Sequence, residues 1–149
     1  MDLADAVFGP AGLNVAVGNI GGTLKFPFGT AKFVSAIHGS GIPGGLPCGF
    51  IFEIGGKKIY HAGDTALTMD MSLLAEEEID VALLPIGDMF TMGPKDAVRA
   101  AKMIQPKTVI PMHFGTFPGV AQDAEAFAAQ IKEAGMDCKV LKPGEVFEL

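Results

Sequence analysis

Three histidines and one aspartate carry the chemistry worth following in this chain, and each stands where an apolar run ends: His38 after FVSAI, His61 and Asp64 in IYHAGDT, and His113 after VIPM. Strand ends that open into loops let a rigid sheet hold a reactive group within reach of a substrate. Any one of these histidines, taken alone, is as readily a hydrogen-bonded structural residue. Three in like settings favour a shared site. Gly63 lets the chain turn sharply and project Asp64, with the hydroxyl of Thr65 beside it. A carboxylate so placed is either a turn or helix-capping residue or a metal ligand. His113 likewise leaves its apolar run into a glycine and proline turn, PMHFGTFP. Together His38, Asp64 and His113 form an oxygen and nitrogen donor set of the kind that zinc, manganese or iron accepts. Other chemistries lack their signatures. No G-x-S-x-G occurs and neither Cys48 nor Cys138 neighbours a histidine in sequence, so covalent catalysis is unsupported. The glycine-rich stretches 18–22 and 39–45 have neither a P-loop lysine nor a G-x-G-x-x-G helix entry, which disfavours a phosphate-binding module.

The elements that must position these residues fall into two halves of different grammar. From Asn14 to His61 the chain runs NVAVG, GTLKFPFG, TAKFVSAIH, CGFIFEI and KKIYH, rich in β-branched and aromatic residues and punctuated by glycine. This pattern predicts a meander of antiparallel strands, with hairpin turns at Phe28-Gly29-Thr30 and Ile54-Gly55-Gly56-Lys57. From Met69 onward helices alternate with short apolar strands: DMSLLAEEE helical, DVALLPIG strand, PKDAVRAAKMI helical, TVIPMH strand, DAEAFAAQIKEAG helical and CKVLK strand. Pro94 with Asp96 opens the second helix, Gln122 or Asp123 opens the third, and Gly135 closes it. Ala97, Ala100, Ala101 and Ile104 make one apolar stripe at helical spacing, and Phe127, Ala128, Ile131 and Ala134 another.

Composition bounds the rest. A length of 149 residues with 49% hydrophobic and 19% charged residues suits one domain with a real core. Eleven basic residues against 17 acidic ones, with no basic cluster, argue against nucleic acid as a partner. The mean hydropathy is +0.37, yet 20 glycines and 10 prolines break the apolar runs well short of the ~18 residues that a membrane span needs. The start MDLADAVFGPAGLN has no basic region and no uninterrupted apolar segment, so a cytoplasmic protein is expected. Cys48 and Cys138 lie far apart and read as two free buried thiols.

In chain order, IYHAGDTALTMDM, DVALLPIGDMFTMGPKDA and IPMHFGTFP closely resemble the prokaryotic metal-dependent hydrolases of the metallo-β-lactamase superfamily. The likeness runs from about Asn19 to Glu145. The resemblance implies an α/β fold, a partial metallo-β-lactamase-like αββα sandwich in which the strand meander is followed by β-α-β-α-β. It implies a divalent metal cofactor, zinc first, with manganese or iron as alternatives. By the same likeness His38 completes one metal site, His113 completes a second, and Asp64 bridges the two. His61 then orients Asp64 or packs beneath it, with Thr65 and Asp88 as further supporting residues. A turn-stabilising role for Asp88 is an equal alternative. Met89, Phe90 and Met92 line an apolar wall or belong to the core. The H-x-H-x-D-H string that marks the family is absent. Residues 1–149 are therefore expected to be a single incomplete domain lacking its N-terminal metal-ligand segment, with the opening residues matching the helix and strand that follow that string. The function implied is hydrolysis of an ester, lactone or phosphodiester bond in a small-molecule substrate by a metal-activated water. The alternative is a non-catalytic truncated domain. Both readings lead to the expectation of a homo-oligomer or a complementing chain, because an incomplete sandwich exposes apolar strand faces and an edge.

Overall fold

The computed structural model of the protein describes residues 15–41 and 43–149. The helix expected of the opening residues, and Asn14 of NVAVG, lie outside the described residues. The rest of NVAVG forms no strand.

A single seven-stranded sheet runs in chain order: β1 (Thr23–Phe26), β2 (Gly29–Ser35), β3 (Cys48–Ile54), β4 (Lys57–His61), β5 (Val81–Pro85), β6 (Thr108–Met112) and β7 (Asp137–Cys138). The first four strands pair antiparallel, as the meander pattern requires, and β4 through β7 pair parallel. The β3–β4 turn is Gly55-Gly56, with φ of +58° and +76°, the primed hairpin geometry that glycine admits without a side-chain clash. The first hairpin turns one residue earlier than the sequence suggests, at Pro27-Phe28, and Gly29 opens β2.

Three helical elements cover one face of the sheet. α1 (Pro94–Ile104) starts with proline in its first turn, and α2 (Ala124–Glu133) is capped by Asp123, whose carboxylate accepts from the Ala126 N–H at 2.9 Å. Gly135 follows α2 with φ +84° and closes it as expected. The DMSLLAEEE segment, expected to be helical, is so, as a 3-10 helix over Met69–Glu77. Three residues per turn put Met71, Leu74 and Glu77 on one line. Met71 and Leu74 are buried against the sheet, and the Glu77 carboxylate reaches Lys32 on β2 at 2.5 Å and Lys58 on β4 at 3.5 Å. An α-helical pitch would pull the third of these away from its partners. The expected CKVLK strand shrinks to two residues, because β7 sits at the sheet edge beside β6 alone.

Both apolar stripes are spent as predicted except at Ala134, which is the half-buried C-cap of α2 and stands outside the core cluster. Ala97, Ala100, Ala101 and Ile104 of α1 and Phe127, Ala128 and Ile131 of α2 pack on Ile51, Tyr60, Ala82, Leu84 and Val109 of the sheet. Burying a residue such as Ile104 or Phe127 stabilises the fold by roughly 1.5–3 kcal/mol. Alternation along the strands turns Phe33, Phe50, Phe52, Ile59, Leu83 and Ile110 to the opposite face. There the C-terminal Leu141, Phe147 and Leu149 meet Ile59, Leu83 and Ile110, while the Phe33, Phe50 and Phe52 rings pack against one another with centroids 4.9 and 5.6 Å apart. The described residues thus form one sheet and one helical layer of the expected sandwich. Among them, no helix is long and apolar enough to cross a membrane. Both cysteines are free, Cys138 buried and Cys48 half-buried, and burial pushes the Cys138 thiol up to about 11.

Candidate metal centre

Parallel register brings β4, β5 and β6 to an end on one edge. His61 pairs with Leu83, and Leu83 with Ile110, so the loops after β4 and β6 emerge on either side of the loop after β5. After β4 the Ala62 N–H still bonds to the Leu83 carbonyl at 3.1 Å, and the chain then turns at Gly63 with φ +65°. A Cβ at Gly63 would stand 2.9 Å from the Cys48 carbonyl oxygen, so only glycine takes this turn. His61 shapes it from behind: its Nδ1 accepts the Gly63 N–H at 3.1 Å. Asp64 is the residue delivered to the rim.

After β6 the pairing runs on through the Ile86 N–H to the Met112 carbonyl at 3.0 Å, and His113 then adopts a left-handed backbone, φ +55°. Gly87 makes room for it, since a Cβ there would lie 2.2 Å from the His113 carbonyl oxygen and 3.0 Å from its Nδ1. The result is a pair. His113 Nε2 stands 3.5 Å from Asp64 Oδ2, with side-chain exposures of 32% and 46%. That separation is long for a charge-assisted hydrogen bond. Two ligands each about 2.1 Å from one ion at a tetrahedral angle stand about 3.4 Å apart, so the pair fits two corners of a zinc-like site in both donor chemistry and spacing. The buried Nδ1 of His113 has no hydrogen-bond partner among the described residues.

His38 is positioned by a different device. Beyond β2, the Ile37 N–H donates to Thr65 Oγ1 at 3.0 Å and the Ile37 carbonyl accepts from the Ala66 N–H at 3.0 Å, which fastens this loop beside Asp64. His38 itself is exposed, with Nδ1 2.8 Å from the Gly39 carbonyl, an arrangement that leaves Nε2 as the lone-pair nitrogen. Among the described residues, no group of three or more His, Cys, Asp or Glu side chains converges closely enough to hold a metal ion. The structure therefore brings Asp64 and His113 together and places His38 on the neighbouring loop.

Thr65 is fully buried and ties three loops together. Its hydroxyl accepts from Ile37 and donates to the Ala66 carbonyl at 2.8 Å, and its own carbonyl accepts the Met92 N–H at 2.9 Å. Asp88 serves its own turn: with φ +61°, its Oδ1 accepts the Met89 N–H at 2.9 Å, and its carbonyl accepts from Phe90 and Thr91. Met92 is core, 2% exposed, whereas Met89 and Phe90 stand out in solvent. Two residues escaped the sequence reading. Gln122 donates to the Gly87 carbonyl at 3.3 Å and so links the loops after β5 and β6, and the Phe117 ring packs on Phe90. Gln122 was visible only as a helix opener, and Phe117 only as part of a turn.

Residues 4–114 match the family profile described as a beta-lactamase superfamily domain. A UPF0173 metal-dependent hydrolase of Thermus thermophilus is 53% identical over 135 residues, covering 88% of this chain and 60% of that protein. Another from Symbiobacterium thermophilum is 54% identical over 143 residues, covering 93% and 64%. Among solved structures, Igni18, a metallo hydrolase from the archaeon Ignicoccus hospitalis, superposes with a TM-score of 0.87 at 37% identity, over 97% of this chain and 65% of that one. An isothiocyanate hydrolase from Delia radicum gut bacteria shares the fold, with a TM-score of 0.71 at 23% identity over 97% of this chain and 63% of its own. The chain spans about 60% of the length of the curated relatives it matches. Since the profile match takes in the meander, the turn that delivers Asp64 and the strand that leads to His113, the chain belongs to the metallo-β-lactamase superfamily.

Proposed function

We propose that this chain carries part of the metal centre of a hydrolase that cleaves an ester, lactone or phosphodiester bond in a small molecule. The observation that carries this reading is the facing of Asp64 Oδ2 and His113 Nε2 at 3.5 Å on the shared rim of β4 and β6. Relatives named metal-dependent hydrolases support it. Asp64 supplies a hard anionic oxygen and His113 a neutral imidazole nitrogen, a pairing that suits zinc first and accepts manganese or iron. His38 supplies a further imidazole from the loop pinned to Thr65. A divalent metal bound there contributes Lewis acidity and lowers the pKa of water. Two facing donors fall short of the three protein ligands of a catalytic zinc site. The remaining ligands are assigned to the part of the relatives' length that this chain does not span. Thr65 and Gly87 hold the loops so that Asp64 and His113 face each other, and His61 fixes the turn behind Asp64.

Metal uptake tests the reading directly. Isothermal titration of the chain with zinc, then manganese, is expected to show binding that falls at least tenfold in Asp64→Asn and His113→Asn, and less in His38→Ala. Unchanged affinity in Asp64→Asn and His113→Asn would refute the site. A second reading rests on the apolar sheet face of Phe33, Phe50 and Phe52, which favours assembly with another chain. Light scattering coupled to size exclusion decides it, because a single 15.5 kDa species at all concentrations rules out self-assembly.

A further inference from the structure

We propose that Met89, Phe90 and Phe117 form a wall that seats an uncharged apolar group of the substrate, an aromatic ring or alkyl chain, beside the Asp64 and His113 pair. This inference rests on the reading of that pair as part of a hydrolytic metal centre and names the substrate class the centre takes.

The three side chains are exposed by 64%, 57% and 46% although each is large and apolar. They form one patch. The Phe90 and Phe117 rings lie 6.4 Å apart at 50°, and both Phe117 Cε2 and Met89 Sδ crowd the space above Gly119, at 2.8 and 3.3 Å from where its Cβ would stand. Contiguous exposed apolar groups of this kind mark a binding surface more often than scattered single ones do. The patch adjoins the site. Met89 follows two residues after Gly87, whose Cα lies against His113, and the same loop is bonded through the Met92 N–H to the carbonyl of Thr65, next to Asp64.

The loop also sorts its own apolar residues. Met92 goes into the core, whereas Asp88 and Met89 hold left-handed backbones, φ +61° and +49°, and Met89 is left outside. Residues other than glycine rarely stay in that region unless the surroundings enforce it, and such strain concentrates at ligand-binding sites. Asp88 is the one charged residue in the two loops, 87–93 and 114–121, and its carboxylate turns back onto the Met89 N–H and against Gly93. An anionic group would therefore find no basic side chain in these loops, and an apolar one finds three partners.

The test needs neither metal nor turnover. The chain, which has eight methionines, is labelled with 13C at their ε-methyl groups and titrated by NMR with 4-phenylbutanol, using 1,4-butanediol as the polar control. The expected result is a saturable shift of the Met89 signal with the aromatic alcohol alone. In Phe117→Ala the affinity weakens roughly threefold to tenfold, the range one aromatic contact supplies. Met69, 72% exposed on the 3-10 helix, reports indiscriminate partitioning. A Met89 signal that stays in place, or moves no further than that of Met69, overturns the proposal. So does a Met89 signal that broadens with protein concentration, which would make a second copy the occupant. Zinc binding without a Met89 shift removes the wall alone, and a Met89 shift without zinc binding removes the hydrolase reading while leaving an apolar site.

Discussion

Thr65→Val is the substitution that most directly tests how the candidate site is held. Valine keeps the volume of this fully buried side chain and removes only the hydroxyl, which accepts from the Ile37 N–H at 3.0 Å and donates to the Ala66 carbonyl at 2.8 Å. Ala66 is exposed, so water replaces the second bond at little cost. The Ile37 residue is itself exposed, but its amide is bonded to the fully buried Thr65 hydroxyl in a part-buried contact and loses that acceptor, and an unmade bond of that kind costs about 1–2 kcal/mol. For a chain of this length the loss corresponds to a fall in Tm of about 3–6 °C. Thr65→Ser retains the hydroxyl and removes a methyl, at a comparable cost of about 1 kcal/mol, so stability alone does not separate the two variants. Amide exchange does. Protection of the Ile37 amide is expected to drop about tenfold in Thr65→Val and to persist in Thr65→Ser, as a lost bond worth about 1.4 kcal/mol dictates. Metal affinity at His38 should follow that protection, because the same bond fixes the His38 loop. A Thr65→Val protein with wild-type stability and a protected Ile37 amide would refute the reasoning.

Three further outcomes follow from the same structure. Gly87→Ala is expected to lower stability by about 1–3 kcal/mol and to shift the His113 ring resonances, since its Cβ would overlap the His113 carbonyl, and an unshifted His113 spectrum would count against that packing. Tyr60→Phe is expected to leave stability unchanged or raise it by up to about 1 kcal/mol, because the Tyr60 hydroxyl is buried without a partner among the described residues. A clear loss would reveal a hidden acceptor. The Lys107 ammonium, and then the Lys58 N–H, hold Asp80 below the usual carboxylate range, and the Lys32 hydrogen bond does the same for Glu77. A carboxylate lowered in the folded state adds stability that is present above its unfolded pKa, near 4, and lost as the pH falls through the folded value. Urea midpoints should therefore decline below about pH 5, and Asp80→Asn should flatten that decline; an unchanged slope would show that Asp80 is not the group responsible.

Much of the fold was legible because its signals are local. Gly55-Gly56 between two extended runs fixes a hairpin, Pro94 and Asp123 fix helix starts, and the α1 stripe from Ala97 to Ile104 fixes which face is buried. What local composition left open has a tertiary cause. DMSLLAEEE carries ordinary helical composition, and the 3-10 pitch keeps Glu77 in line with the buried Met71 and Leu74 and within reach of Lys32 on β2 and Lys58 on β4. CKVLK has strand composition throughout, but a neighbour on one side alone sustains just two residues of it.

Of the candidate site, the sequence offered the residues, and only part of their geometry. Asp64 and His113 lie far apart in sequence, and a single residue of slippage in the β4–β5–β6 register would turn one of them away from the other. Their meeting depends on His61, Leu83 and Ile110 standing in step across three parallel strands. It depends equally on two positions with no chemistry of their own, Gly63 and Gly87, each of which clears a backbone carbonyl. Nothing in a sequence distinguishes a glycine that frees a turn from one that admits a neighbouring strand's histidine. His38 lacks such a frame: past β2 its loop is fastened through Ile37 to Thr65 and Ala66, and His38 itself is exposed. On the proposed reading, the Asp64 and His113 half of the centre is preorganised by strand register, while His38, on a pinned loop, depends on what packs against that loop.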